Sequence, residues 1–151
     1  MVRRLVVRIM LVGTISLALA TLVPVLPAFA SPTATVEVGQ PGTLVAKGAA
    51  VEVPLVYSCS SDTTFASLSV TITQRVGSNE IATGTGVNTD LLTCDGSEHT
   101  YVILVTPTNG GSNNAFRKGE ALAEGHILAC DETGFPCSEA YSSEVIQIVK
   151  P

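Results

Sequence analysis

From residue 33 onward the chain alternates apolar and polar residues with a period of two. Val51, Val53, Leu55 and Tyr57 fall on one face of a run that ends at Cys59, with Glu52 and Ser58 on the other. Residues 66–76 are the most regular: Leu68, Val70 and Ile72 are expected inward, and Ser67, Ser69, Thr71 and Thr73 toward water. That is the pattern of a strand with one wet face. Residues 99–106 repeat it with Tyr101, Ile103 and Val105, and residues 33–38, 43–46 and 142–150 read as further strands. Turn chemistry separates the runs at Gly39 and Pro41-Gly42, at Gly77-Ser78-Asn79, at Asp95-Gly96, and in a flexible loop over 109–114.

Three stretches strain the pattern. Residues 80–94 are interrupted by glycine and read as one bent strand or two short ones. Residues 120–130 contain the helix formers Ala121-Leu122-Ala123-Glu124. The flanking Gly119, the internal Gly125 and the alternation of Ala121, Ala123, Ile127 and Ala129 predict a strand there instead. Pro54 removes a ladder donor, which predicts that its strand lies at an edge or is bulged. Short strands at this spacing predict an all-β fold: an immunoglobulin-like β-sandwich of about seven strands, with a barrel as the alternative.

Residues 1–30 do not belong to that domain. Arg3, Arg4 and Arg8 make a basic start, an apolar run over 9–23 follows, and Pro24 and Pro27 end any helix. Ala28-Phe29-Ala30 supplies a cleavage pattern before Ser31, so 1–30 reads as a secretory signal and 31–151 as one secreted domain, extracellular or at the cell surface. A transmembrane anchor is the competing reading of the apolar run. The prolines and the small-residue exit weigh against it, which leaves membrane contact only through the signal.

The whole chain has 151 residues and a net charge of −5. Without the signal, the cations are Lys47, Arg75, Arg117, Lys118 and Lys150, while all 13 acids remain, so five minus thirteen gives −8. Such a charge argues against nucleic acid and anionic membranes as partners.

Export makes Cys59, Cys94, Cys130 and Cys137 a two-disulfide framework. A zinc site is the rival, but no C-x-x-C pair exists. The favoured pairing is Cys59–Cys94 with Cys130–Cys137, because the second pair closes a turn that contains Gly134 and Pro136. Cys59–Cys130, spaced like an inter-sheet bridge, is the alternative. Against it, Cys130 is out of phase with the small apolar positions, and the chain has no Trp to accompany such a bridge.

With residues 80–94 taken as one bent strand, strands that alternate up and down from Val51 bring the loops after Cys59, around Asp95 and after Cys130 to one end, together with all four cysteines; two strands there would flip the parity. That end carries Asp62, Phe65, Asp95, Glu98, Asp131, Glu132, Glu139, Phe135 and Tyr141. The sharper reading is a stapled, acidic, partly aromatic loop surface that holds a cationic ligand or a partner protein. The plainer one is solvated carboxylates around two structural bridges. Calcium lacks the D-x-D-x-D-G spacing, so no metal or cofactor is expected. Neither His99 nor His126 sits in a motif that orients a nucleophile, no G-x-S-x-G elbow exists, and Glu120 and Glu124 read as surface acids. No enzyme is expected. The loop of residues 131–136 also reads as a rigid wedge of the kind some protease inhibitors present.

Two fragments carry family resemblances. Cys94-Asp95-Gly96-Ser97-Glu98-His99-Thr100-Tyr101-Val102, with Gly119-Glu120-Ala121-Leu122-Ala123 leading to Cys130, resembles small secreted actinobacterial proteins with an uncharacterised immunoglobulin-like domain. That resemblance implies a fold and no activity. Ser31-Pro32-Thr33-Ala34-Thr35-Val36 and Gly42-Thr43-Leu44-Val45 look like the start of neocarzinostatin-type apoproteins, which implies a small-molecule carrier. In that family the first two cysteines are close together, whereas Cys59 and Cys94 are far apart, and no binding residues carry over. The expected function is therefore a non-catalytic secreted domain that binds an extracellular protein or small molecule or has a structural role. A chromophore-type carrier and a protease inhibitor are the alternatives.

Overall fold

A computed structural model describes residues 31–108 and 115–151. The signal expected over 1–30 and the loop expected over 109–114 lie outside the described residues. The strands are β1 (Ala34–Val38), β2 (Gly42–Val45), β3 (Ala50–Cys59), β4 (Phe65–Arg75), β5 (Ile81–Val87), β6 (His99–Pro107), β7 (Gly119–Cys130) and β8 (Cys137–Val149).

The all-β expectation holds, and the sheet closes on itself. Neighbours run β3-β2-β8-β7-β4-β5-β6 and back to β3, a seven-stranded barrel, with β1 laid along the upper half of β3. Closure is what the barrel alternative predicts, and the sheet does not divide clearly into the two layers of a sandwich. Two of the closing seams are short. β2 meets β8 in parallel through only Gly42↔Ile148 and Thr43↔Val149. β5 meets β6 through Gly84↔Pro107 and Thr85↔Thr106. The second seam depends on glycine: a Cβ on Gly84 would lie 2.2 Å from the Thr106 carbonyl oxygen, and one on Gly86 would lie 2.5 Å from that of Leu104. With inward positions Ala82, Gly84 and Gly86, β5 lets β6 cross it closely.

The core follows the period-two pattern. Val51, Val53, Leu55, Leu68, Val70, Ile72, Ile103, Val105, Ile127, Ile146 and Ile148 are fully buried. Residues 120–130 are extended despite their helix formers, because every second residue from Ala121 to Ala129 turns into the barrel and β4 and β8 pair with β7 on either side. Tertiary pairing overrides local propensity here.

Pro54 is neither at an edge nor in a bulge. β3 pairs with β6 on one side and with β1 and then β2 on the other. The Pro54 carbonyl accepts from the Gly39 amide at 2.8 Å, where the chain bends between β1 and β2. Along a strand a residue's N–H and C=O point to the same side, so the missing donor faces the gap in which β3 changes partner. Residues 80–94 are likewise not strand throughout. β5 ends at Val87, and residues 88–98 form an irregular segment over the end of the barrel.

Candidate functional site

β3 and β7 run toward one end of the barrel, and β4 and β8 leave from it, so all four cysteines gather there. Both disulfides take the favoured pairing. Cys59–Cys94 has Cα atoms 4.7 Å apart, and Cys130–Cys137 has them 4.1 Å apart across the top of the β7–β8 hairpin. The phase shift of Cys130 is explained by this. Phe65, Cys130 and Cys137 occupy one register row and therefore one face, the outer one.

Segment 88–98 is ordered by side chains. Asn88 acts as a clamp: its Oδ1 accepts from the Leu68 amide at 2.7 Å, and its backbone amide donates to the Leu68 carbonyl at 2.9 Å. The Tyr57 hydroxyl accepts from the Thr93 amide at 3.1 Å, and the Tyr101 hydroxyl donates to the Asp90 carboxylate at 3.2 Å. Between this segment and the start of β4 lies an open cleft of about 310 Å³, lined among others by Thr63, Phe65, Ser67, Asp90 and Leu91.

The expected site residues divide into three groups. Phe65, Asp131, Glu132 and Phe135 lie at the Cys130–Cys137 link, and Tyr141 lies four register rows down the same hairpin. Phe65 is the first residue of β4 and Tyr141 lies within β8, so neither is a loop residue. Phe65, Phe135 and Tyr141 are 55%, 82% and 71% exposed, and Leu91 on the cleft rim is 99% exposed. Four register rows below Phe65, Tyr141 stacks on His126 with centroids 4.5 Å apart, and its hydroxyl donates to Glu139 at 2.6 Å. That bond to a carboxylate raises the Tyr141 pKa above the usual phenol value.

Asp95 belongs to the other link. Its carboxylate accepts from His99 Nε2 at 2.9 Å and from the Ser97 amide at 2.8 Å, and these bonds, that from His99 first, hold its pKa below the usual value. Glu98 is apart from both groups, beside Glu37 on a shallow groove over β1 and β3.

Several acids are engaged by their own turns. Asp131 accepts from the Thr133 amide at 2.8 Å, in a turn where Gly134 takes φ +77°. Asp62 accepts from the Ser60 hydroxyl. Such bonds are what Asp does in Asx turns, and they leave Glu132 and Glu139 as the outward charges of the corner. Among the described residues no group of three or more His, Cys, Asp or Glu side chains converges as a metal site.

The pattern does not reveal Asn88, Tyr57 and Tyr101 as a clamp, because the segment they order is read as strand. The polar run Asn88-Thr89-Asp90 is the signal that breaks the strand. The chain matches no protein-family model, and no curated protein matches it.

Proposed function

We propose that the chain is a secreted, non-catalytic immunoglobulin-like domain that binds an extracellular protein through the corner built on Phe65, Phe135 and Tyr141. The observation that carries this is the exposure of three aromatics at the tip, beside and along one strand of a disulfide-closed hairpin, with Leu91 bare on the adjoining cleft rim. Exposed apolar groups gathered in one place and rimmed by charge mark interaction surfaces. A surface already fixed by a cross-link loses less entropy on binding. Depletion of cations at this end favours a partner whose contact face is basic and apolar.

The immunoglobulin-like topology is supported by the two short seams. Without them the strands divide into β1, β2, β3 and β6 against β5, β4, β7 and β8, joined as in such sandwiches. The secreted state is supported by the two disulfides and by the signal pattern over 1–30. The resemblance to small secreted actinobacterial proteins points the same way. The non-catalytic reading rests on the use of Asp95 and His99 to close a turn.

The test is affinity capture from culture medium and cell-surface extracts with residues 31–151, a Phe135→Ser/Tyr141→Ser variant and a Val102→Ser control on β6. A partner held by the parent and the control but lost from the double variant is the expected result. Capture indifferent to Phe135 and Tyr141 would sink the proposal, as would no capture with no ligand in native mass spectrometry. A protease as the captured partner would make residues 131–136 an inhibitory wedge. A small molecule released from the 88–94 cleft would favour the carrier instead.

A further inference from the structure

At the pole opposite the disulfides the charge reverses. β4 ends there at Arg75, and Lys47, Arg117, Lys118 and Lys150 line a single groove of about 500 Å³ floored by Leu44 and Phe116. These five are all the Lys and Arg of residues 31–151, in a region that holds 13 acids. Among the described residues the contacts between a basic side chain and a carboxylate are His99–Asp95 and His126–Glu139, so no Lys or Arg there is paired with a carboxylate. Glu120, close by in sequence, has its carboxylate engaged by the Gln147 amide at 3.3 Å.

The groove is built as well as charged. Gln74 is the one buried polar side chain among the described residues, and it is spent here. Its Nε2 donates to the Arg117 carbonyl at 2.7 Å and to the Glu120 carbonyl at 3.3 Å, and its Oε1 accepts from the Arg117 amide at 2.8 Å. Across the groove, Ala46 and Lys47 both take left-handed backbone angles, φ +47° and +57°. Residues with a Cβ avoid that region, and such strain concentrates at ligand clamps. The turn is locked by the Phe116 amide, which donates to the Gly48 carbonyl at 3.0 Å, and a Cβ on Gly48 would lie 2.1 Å from the Phe116 carbonyl oxygen. Two fixed segments therefore present Lys47, Arg117 and Lys118 around an apolar floor.

We infer that this groove binds the oxyanion head of a small amphiphile, a phosphate, sulfate or carboxylate carried on an apolar body. The Arg117 fork suits an oxyanion, the lysines add charge without directional demand, and Leu44 and Phe116 receive the apolar part. The volume falls in the range of small-molecule sites. The acids around the disulfides do not cancel the site, although Glu80, beside Arg75, and Glu120, at the start of β7, share its pole. β7 spans 12 residues, about 40 Å between the poles, several times the Debye length of about 8 Å in physiological salt.

The probe is monomeric dodecyl phosphate, with inorganic phosphate and neutral dodecyl maltoside as the head-only and tail-only arms, followed by calorimetry and amide chemical shifts. Dodecyl phosphate is expected to bind at least about tenfold more tightly than either arm and to weaken as salt rises. It should shift resonances of residues 44–48 and 116–118. Arg117→Gln/Lys118→Gln, two exposed positions that leave the core intact, is expected to remove at least about tenfold of the affinity. Maltoside binding as well as the phosphate, a double variant binding as well as the parent, or shifts confined to the disulfide pole would overturn the inference. Binding to phosphatidylglycerol vesicles with none to the monomer would also overturn it, by making this pole a membrane-facing surface.

Discussion

The two ends of this barrel are held by different chemistry. At the disulfide pole the irregular segments 88–98 and 131–136 bury little apolar surface of their own, and two covalent links with the Asn88 clamp fix them. At the basic pole there is no cross-link. A buried amide, Gln74, and a close backbone approach at Gly48 fix the chain instead. The charges divide accordingly. Acids at the first pole are largely engaged in their own turns, whereas cations at the second have no carboxylate partners. Covalent closure suits a segment with poor packing, and a buried polar clamp suits one that already touches the core.

The largest effect that separates the poles is loss of a disulfide. Cys59–Cys94 joins residues 35 apart and Cys130–Cys137 residues 7 apart. Loop-closure entropy then predicts that Cys59→Ser/Cys94→Ser costs about 4 kcal/mol and Cys130→Ser/Cys137→Ser about 2.5 kcal/mol. Denaturant midpoints measure both. Hydrogen exchange should show segment 88–98 loosening first in the former variant and the basic pole unchanged in either. Equal costs, or the reverse order, would mean that loop length does not govern this end.

Much of this division is legible in the residues. Alternation in 51–59, 66–76 and 99–106 places the core, because one buried face on a strand admits only one phase. The turn chemistry around Gly134 points to the Cys130–Cys137 pair. What alternation does not carry is closure. The seam at Gly84–Thr85 depends on close backbone approach, and the one at Gly42–Thr43 on a glycine set among the side chains of Val51 and Ile146; a glycine that permits either looks in sequence like a glycine that interrupts a strand. Pro54 misleads for a related reason, since its missing donor falls where β3 changes partner. The exposed aromatics are legible as residues but not as a corner, because Phe65, Cys130 and Cys137 become neighbours only through register. The basic groove gathers Lys47, Arg117 and Lys118 from segments far apart in the chain.

Gln74 was open to detection. It sits in phase with Leu68, Val70 and Ile72, so a polar residue occupies an inward position and needs a partner. Gln74→Leu keeps the volume and leaves the Arg117 amide and two carbonyls without their partner. Stranding buried polar groups in this way predicts a loss of about 2 kcal/mol. Amide exchange should rise at residues 116–120 and stay unchanged at 88–98, and the affinity for dodecyl phosphate should fall even though Gln74 does not face the groove. A variant as stable as the parent would show that the basic pole is held by packing alone.

The smallest effect lies at the disulfide pole and is a matter of pH. The Asp95 carboxylate is held below the usual range, first by the bond from His99 and then by the Ser97 amide. A carboxyl whose folded pKa is lower than its unfolded one adds stability above the unfolded value and loses it as pH falls through the folded one. The contribution is therefore complete at neutral pH and disappears on the acid side of the ordinary carboxylate range. Carboxyl chemical shifts should show Asp95 titrating below the ordinary aspartate value. In His99→Ala its midpoint should move up toward that value without reaching it, because the Ser97 amide still donates. A midpoint unmoved by His99→Ala would leave the backbone turn as its only cause. The histidine would then have no part in setting this carboxylate.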